Sequence, residues 1–333
     1  MDALSDVLKS VRLEGAVYLN AEFTAPWCIH AKFGLASVRA RLAGAEHVVF
    51  FHFLTEGGCK VRLADGVETL DVAAGDLVLF AREDKHLMGS DLQLAPVEAA
   101  SLIATDAAGA GDFIQMRHGG GGAATRFVCG YLACSRSVCR PLLDALPRVL
   151  RIPIGDGPAA ALLRELLRVG VRESSASRPG TESMLAKLSE LMFVEAMRRY
   201  AENLPPEGKG WLAGVRDAHI GRALALLHGE PGKAWTVDEL ARKVALSRSA
   251  LAERFALLVG EPPMQYLMRW RLALAAQALR SSGEAVARVA ERSGYESEAA
   301  FNRAFKREFG MPPAAWRKAG PRHENFRSPA PAR

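Results

Sequence analysis

The sequence predicts an α+β fold: a β-sandwich or jelly roll at the front, helices behind it, and an all-α unit at the end that uses one two-helix pattern twice. Three observations carry this reading. Residues 11–135 break into short segments of alternating hydrophobicity with turn signals between them. From about Pro158 the apolar period becomes helical. After residue 236 one helical pattern recurs at a fixed offset.

The chain has 333 residues, 49% of them hydrophobic and 24% charged, a globular balance of about two domains. No run approaches the roughly 18 apolar residues of a membrane span. The opening MDALSDVLKSVRLEG is interrupted by charge and has no apolar signal core, so a cytoplasmic protein is expected. The boundaries read from the sequence are a strand-rich unit over 1–150, a helical linker or dimerisation segment over 151–204, a repeated two-helix unit over 211–320 and a disordered tail over 321–333. ENLPPEGKG, with its prolines, glycines and charges, is the natural joint before the last unit.

Charge is unevenly distributed. Residues 211–333 hold 20 Lys and Arg against 12 Asp and Glu, a net of +8, while residues 1–210 come to −2. A basic rear joined to a near-neutral front implies a polyanionic partner for the rear alone.

In the front unit, VVFFHFLTEGGCKVRL turns at Glu56-Gly57-Gly58 and DVAAGDLVLF at Gly75-Asp76. Alternation in CKVRL sets Cys59, Val61 and Leu63 on one face. The glycine-rich stretch 106–126, including HGGGGAATR, reads as a mobile loop, and RFVCGYLAC as the strand after it. There Cys129 shares a face with Phe127 and Tyr131, and Cys134 takes the other. Two helices follow, ALLRELLRVGV and TESMLAKLSELMFVEAMRRYAE, separated by SSASRPG. In the second, Leu185, Leu188, Leu191 and Met192 form a stripe that either packs on its own domain or dimerises.

The rear unit is the most informative. Thr236 and Glu239 form a capping box at the start of TVDELARKV. Ser247 then opens SRSALAERFALLVG, with Leu251, Phe255 and Leu258 inside and Arg248, Ser249, Ala252 and Glu253 outside. Two short helices across a tight turn make a helix-turn-helix. In EAVARVAERSGYESEAAFNRAFKREFG the pattern returns: Ser297, Phe301 and Phe305 stand 50 residues after Ser247, Leu251 and Phe255. Glu298, Asn302, Arg303 and Lys306 lie on the outer face. The connecting helix MQYLMRWRLALAAQALRSS, about 28 Å long at 1.5 Å per residue, is of the right order to set two reading helices toward major grooves about 34 Å apart.

TVDELARKVALSRSALAERF, RWRLALAAQAL, VARVAERSGYESEAAFNRAFKREFG and MPPAAWR resemble the AraC/XylS-type DNA-binding domain over about residues 215–318. That resemblance implies that Arg248, Ser249, Ala252 and Glu253 face one groove, that Asn302 and Arg303 face the next, and that Lys306 meets phosphate. Arg suits guanine edges, Lys mainly adds charge, and Glu253 departs from the basic or amide residue often found at its position. FHFLTEGGCKVRLADG and LDVAAGDLVLFAREDKH resemble the cupin domain at the front of many such regulators. His86 falls where cupins place a late metal-binding His, but His52 stands alone in its strand, so neither metal nor cofactor is expected.

Five cysteines, Cys28, Cys59, Cys129, Cys134 and Cys139, have neither C-x-x-C nor zinc-knuckle spacing. VCGYL resembles the oxidant-responsive subgroup of these regulators and nominates Cys129 as a sensor thiol with Cys28 as its partner. Cys59 and His86 complete the candidate sensor set. The family implies a homodimer acting on promoter DNA and RNA polymerase, more often as an activator, under a small-molecule or oxidant effector. The alternatives are a cupin-type metal-dependent enzyme fused to a DNA-binding domain, a methyl-acceptor repair protein, which the lack of a four-cysteine site disfavours, and a nucleoid protein without sequence preference.

Overall fold

The computed structural model describes residues 3–10, 14–32, 46–103, 114–154, 157, 161–166, 168–169, 179–205 and 207–319. Helix α1 (Ala3–Ser10) precedes strands β1 (Glu14–Thr24), β2 (Cys28–Ala31), β3 (His47–Glu56), β4 (Gly58–Leu63), β5 (Thr69–Ala73), β6 (Asp76–Phe80), β7 (His86–Gly89), β8 (Val97–Glu98), β9 (Ile114–Gly119) and β10 (Ala124–Cys134). Helix α2 (Arg136–Asp144), strand β11 (Val149–Pro153) and helix α3 (Thr181–Glu202) follow. The rear unit is α4 (Trp211–Arg216), α5 (Ala218–Gly229), α6 (Val237–Lys243), α7 (Arg248–Val259), α8 (Pro263–Ser281), α9 (Val286–Arg292), α10 (Glu298–Phe309) and α11 (Pro313–Ala319). The α+β class is as expected.

The strands form two sheets, ordered β11-β6-β3-β10-β1-β9 and β5-β4-β7-β2-β8. Their facing sides enclose Phe23, Trp27, Phe50, Leu54, Val61, Phe80, Met88 and Phe127. The six-stranded sheet is covered on its other side as well, which is why β3 reads as an unbroken apolar run: Val48, Phe50 and Leu54 point into the sandwich, while Val49, Phe51 and Phe53 point out. The outward set meets α2 and α3, through Val138, Leu142, Leu188 and Met192 among others. Leu185, Leu188 and Met192 are buried against the chain's own domain, and Leu191 is 48% exposed.

The glycine-rich stretch differs from expectation. Residues 106–113 lie outside the described set, but 114–119 and 124–134 are strands that flank β1 on either side. The glycines between them cross over the Thr24–Pro26 turn and bond to it: Gly120 N donates to Thr24 O at 2.9 Å, Gly122 N to Ala25 O at 2.8 Å, and Ala25 N to Ala123 O at 2.9 Å. A Cβ at Gly119 would stand 1.9 Å from Thr24 O, and one at Gly120 would stand 2.5 Å from Pro26 Cδ. Close backbone approach, not mobility, is what these glycines supply.

Helical structure covers 161–166 and 168–169; the rest of ALLRELLRVGV, most of SSASRPG and the 321–333 tail lie outside the described residues. Helix α2 was not foreseen, because Pro141 inside it masks a short amphipathic pattern.

Candidate nucleic-acid interface and sensor site

Helices α7 and α10 each begin at a serine cap. Ser247 Oγ accepts from Ala250 N and Ser297 Oγ from Ala300 N, both at 3.2 Å, and Thr236 Oγ1 accepts from Glu239 N at 3.1 Å. Such caps satisfy amide groups that the first helical turn leaves unpaired. The fully buried Leu251 and Phe255 of α7 correspond to Phe301 and Phe305 of α10. The repeat extends beyond these positions. Gly260 and Gly310 close the two helices with φ of 90° and 74°, and each is followed one residue later by Pro-Pro opening the next helix.

The turns are not identical. In the first, Ala245 takes a φ of 56°; in the second, Gly294 takes 77°. Leu246 N bonds to Ala241 O and Tyr295 N to Ala290 O, the same five-residue reach. The turns therefore align at an offset of 49, and one extra residue before Ser297 restores 50.

On the outside of α7, Arg248, Ser249 and Glu253 are exposed and Ala252 is half-buried. Arg248 reaches Asp238 at 3.4 Å, with both side chains more than 60% exposed, a pairing too solvated to fix the guanidinium. On α10, Arg303, Lys306 and Arg307 are exposed and Asn302 is half-buried. Arg307, absent from the sequence-derived set, lies next to Lys306 and was legible as a third base in NRAFKR. The connector α8 serves both units: Tyr266, Leu267 and Trp270 belong to the first core, and Leu272, Ala275, Ala276 and Leu279 to the second.

In the front domain, β10 pairs with β3 so that Cys129 stands opposite His52. His52 Nδ1 lies 2.8 Å from Cys129 Sγ, and His52 Nε2 lies 3.0 Å from His86 Nε2. His86 Nδ1 lies 3.1 Å from Asp84 O. That carbonyl only accepts, which fixes the whole chain. His86 Nδ1–H donates to it, leaving His86 Nε2 bare; His52 Nε2–H donates there, leaving His52 Nδ1 to accept from the Cys129 thiol. The Phe80 ring stacks on His86 at 3.7 Å. Burial drives both histidines toward neutrality, His52 well below the usual imidazole range and His86 to about 4, and it pushes the Cys129 thiol up. The resting state is thus a neutral thiol aimed at a neutral base.

His52 therefore does not stand alone, as its strand suggested; its parity with Phe50 and Leu54 was the signal that it faces inward. Cys59 also faces the sandwich interior, where burial raises its thiol to about 12. Cys28 is placed differently. Ile29 and Ala31 of β2 point inward, and Cys28 lies in register with Gly89, which pairs with the outward-facing Lys60. The structure thus sets Cys28 on the outer face of the five-stranded sheet, away from Cys129, and does not bring the two together. Cys134 and Cys139 are buried neighbours, and burial together with the Cys134 thiol raises that of Cys139. Among the described residues, no group of three or more His, Cys, Asp or Glu is placed to hold a metal ion.

Comparison with known proteins finds two matched regions. Residues 2–202 match the cupin family model, and 240–319 match a helix-turn-helix domain. A putative AraC-like transcription regulator of Streptomyces lividans is 34% identical over 325 residues, covering 96% of this chain and 98% of that protein. The HTH-type transcriptional regulator AlkR of Acinetobacter baylyi is 29% identical over 330 residues, covering 96% and 99%. The RCS-specific HTH-type transcriptional activator RclR of Escherichia coli is 28% identical over 320 residues, covering 96% and 98%. On the cupin match and on the full-length identity, the chain belongs to the AraC-like family of DNA-binding transcription regulators with an N-terminal cupin domain.

Proposed function

We propose that this regulator reads promoter DNA with α7 and α10 together, and that its cupin domain senses an oxidant or small molecule through the Cys129–His52–His86 chain. The observation that carries the first part is the duplicated, serine-capped reading helix on one shared connector. Arg248, Ser249, Ala252 and Glu253 take one major groove. Asn302 and Arg303 take the next, and Lys306 sits on phosphate. Glu253 accepts from a cytosine amine or orients a neighbouring Arg.

The second part is supported by the hydrogen-bonded thiol and base, and by similarity to a relative named as RCS-specific. Cys59 lies in the same interior, whereas Cys28 faces away from it. The protein works as a homodimer, with the exposed Leu191 face of α3 available to a second copy, and activates transcription with RNA polymerase in the cytoplasm; among the described residues no helix is long and apolar enough to cross a membrane.

The test is a titration of the DNA upstream of its own gene, at fixed salt, with reduced and mildly oxidised protein against a scrambled competitor. Selective binding that shifts with oxidant and returns with thiol supports both parts. Selective binding indifferent to oxidant removes the redox part and leaves a small ligand. Binding without selectivity at that promoter contradicts the reading of the two helices there.

A further inference from the structure

The two helix-turn-helix units are attached to the cupin domain by different physics. The first shares one continuous apolar core with the outward face of the six-stranded sheet: Phe51 and Leu142 belong to the same cluster as Trp211, Phe255 and Trp270. The second has a separate core around Phe301, Phe305 and Trp316. Among the described residues, its side-chain links to the front domain include two charged pairs. Arg280, at the end of α8, pairs with Glu46, and Arg140 of α2 reaches Glu308 of α10 at 3.2 Å.

Both links converge on one short segment. Glu46 also accepts from Ser135 Oγ at 3.1 Å and from Arg136 N at 3.0 Å, so it ties the end of α8 to the start of α2. That start follows directly on β10, which carries Cys129. Glu308 is 140° around α10 from Arg303 by the 100° step of a helix, so the link leaves the reading face clear. Glu46 and Arg280 are only 9% and 17% exposed, which shields this pair from screening more than surface pairs are shielded.

We propose that the β10–α2 junction, residues 134–140 together with Glu46, is an ionic lock that sets the orientation of the second helix-turn-helix unit. That unit, and not the first, is then the one displaced when the cupin domain changes. The proposal rests on the reading of the cupin domain as a sensor, since it names the route by which a signal leaves it. A strand shift at Cys129 moves the junction in register, and the junction holds the second unit by directional charge pairs. The first unit is held by non-directional apolar burial and stays with the sheet.

The test uses full-length protein carrying spin-labelled unnatural residues at Val67 with Leu257, or at Val67 with Arg288, all exposed positions. Pulsed electron resonance reads the two distance distributions. In Arg140→Ala and Glu46→Gln the Val67–Arg288 distribution is expected to broaden at least twofold while Val67–Leu257 keeps its width. Arg140→Lys, which retains the charge, stays near native width. Equal broadening of both distributions, or no broadening of either, overturns the lock. The distances need neither DNA nor effector, so those results count against the lock alone. An intact lock in a protein whose promoter affinity ignores every oxidant and ligand tested counts against the sensor reading instead.

Discussion

The neutral histidines decide how the molecule responds to acid. His228 is stacked on Trp270 at 4.2 Å and bonded to Tyr266 Oη at 2.7 Å, and burial lowers it from 6.5 to about 3. His86 is lowered to about 4, and His52 falls well below the usual range. The unfolded chain binds protons on these groups that the folded one refuses, so their stabilisation is complete above about pH 6.5 and is lost as pH falls toward the folded values. Thermal stability is expected to drop from pH 7 to pH 5, and His228→Phe should flatten that slope by up to about 1.4 kcal/mol per pH unit, the limit approached below about pH 5.5. An unchanged slope removes His228 from the account. Among the reading residues, Arg303→Ala is expected to cost about 1–3 kcal/mol and relax preference at one base pair, whereas Lys306→Ala should weaken all sequences alike and reduce the salt slope by about one. Which residues of α7 and α10 lie outside and which lie inside was legible in the sequence, because the offset repeat assigns them. The Cys129–His52–His86 chain was not, because it depends on the register of β3 against β10 and of β7 across the sandwich, which no local pattern encodes.

At the scale of elements, close backbone approach explains what composition misread. HGGGG looked like a flexible link, yet at Gly119, Gly120 and Gly122 the Thr24–Pro26 turn leaves no room for a Cβ. Gly119→Ala, with φ of 134° and Thr24 O in the way, is expected to destabilise by several kcal/mol, while Gly121→Ala, with open space around it, should cost only the backbone strain of about 1 kcal/mol. Chemical denaturation separates the two, and equal costs would mean that approach is not the constraint. The turns of the helix-turn-helix units make the converse case. Ala245 occupies a left-handed conformation that Gly294 occupies in the second copy, so Ala245→Gly should stabilise by about 0.5–1 kcal/mol once the added entropy of the unfolded chain is deducted. A destabilised Ala245→Gly variant would contradict the strain. Caps and apolar periodicity made the reading helices visible from sequence alone. The one-residue slip between the turns went unseen because it leaves the 50-residue offset of the second helices intact.

For the whole molecule, the sequence separated a strand-rich front from a helical rear and placed ENLPPEGKG between them. It did not show that the first helix-turn-helix unit shares the front domain's core, because the outward residues of β3 and the faces of α1, α2 and α5 join one cluster only through tertiary packing. That shared core makes the front domain and the first reading unit one cooperative body, with the second reading unit carried on α8. The central claim is that both units read one duplex. Footprinting of full-length protein on its own promoter, with Arg248→Ala and Arg303→Ala beside the native chain, tests it most directly. Two protected major-groove segments are expected on one face, about one helical turn of 10 base pairs apart, with each variant losing protection in a different segment. Protection of a single segment, or loss of the same segment in both variants, would contradict it.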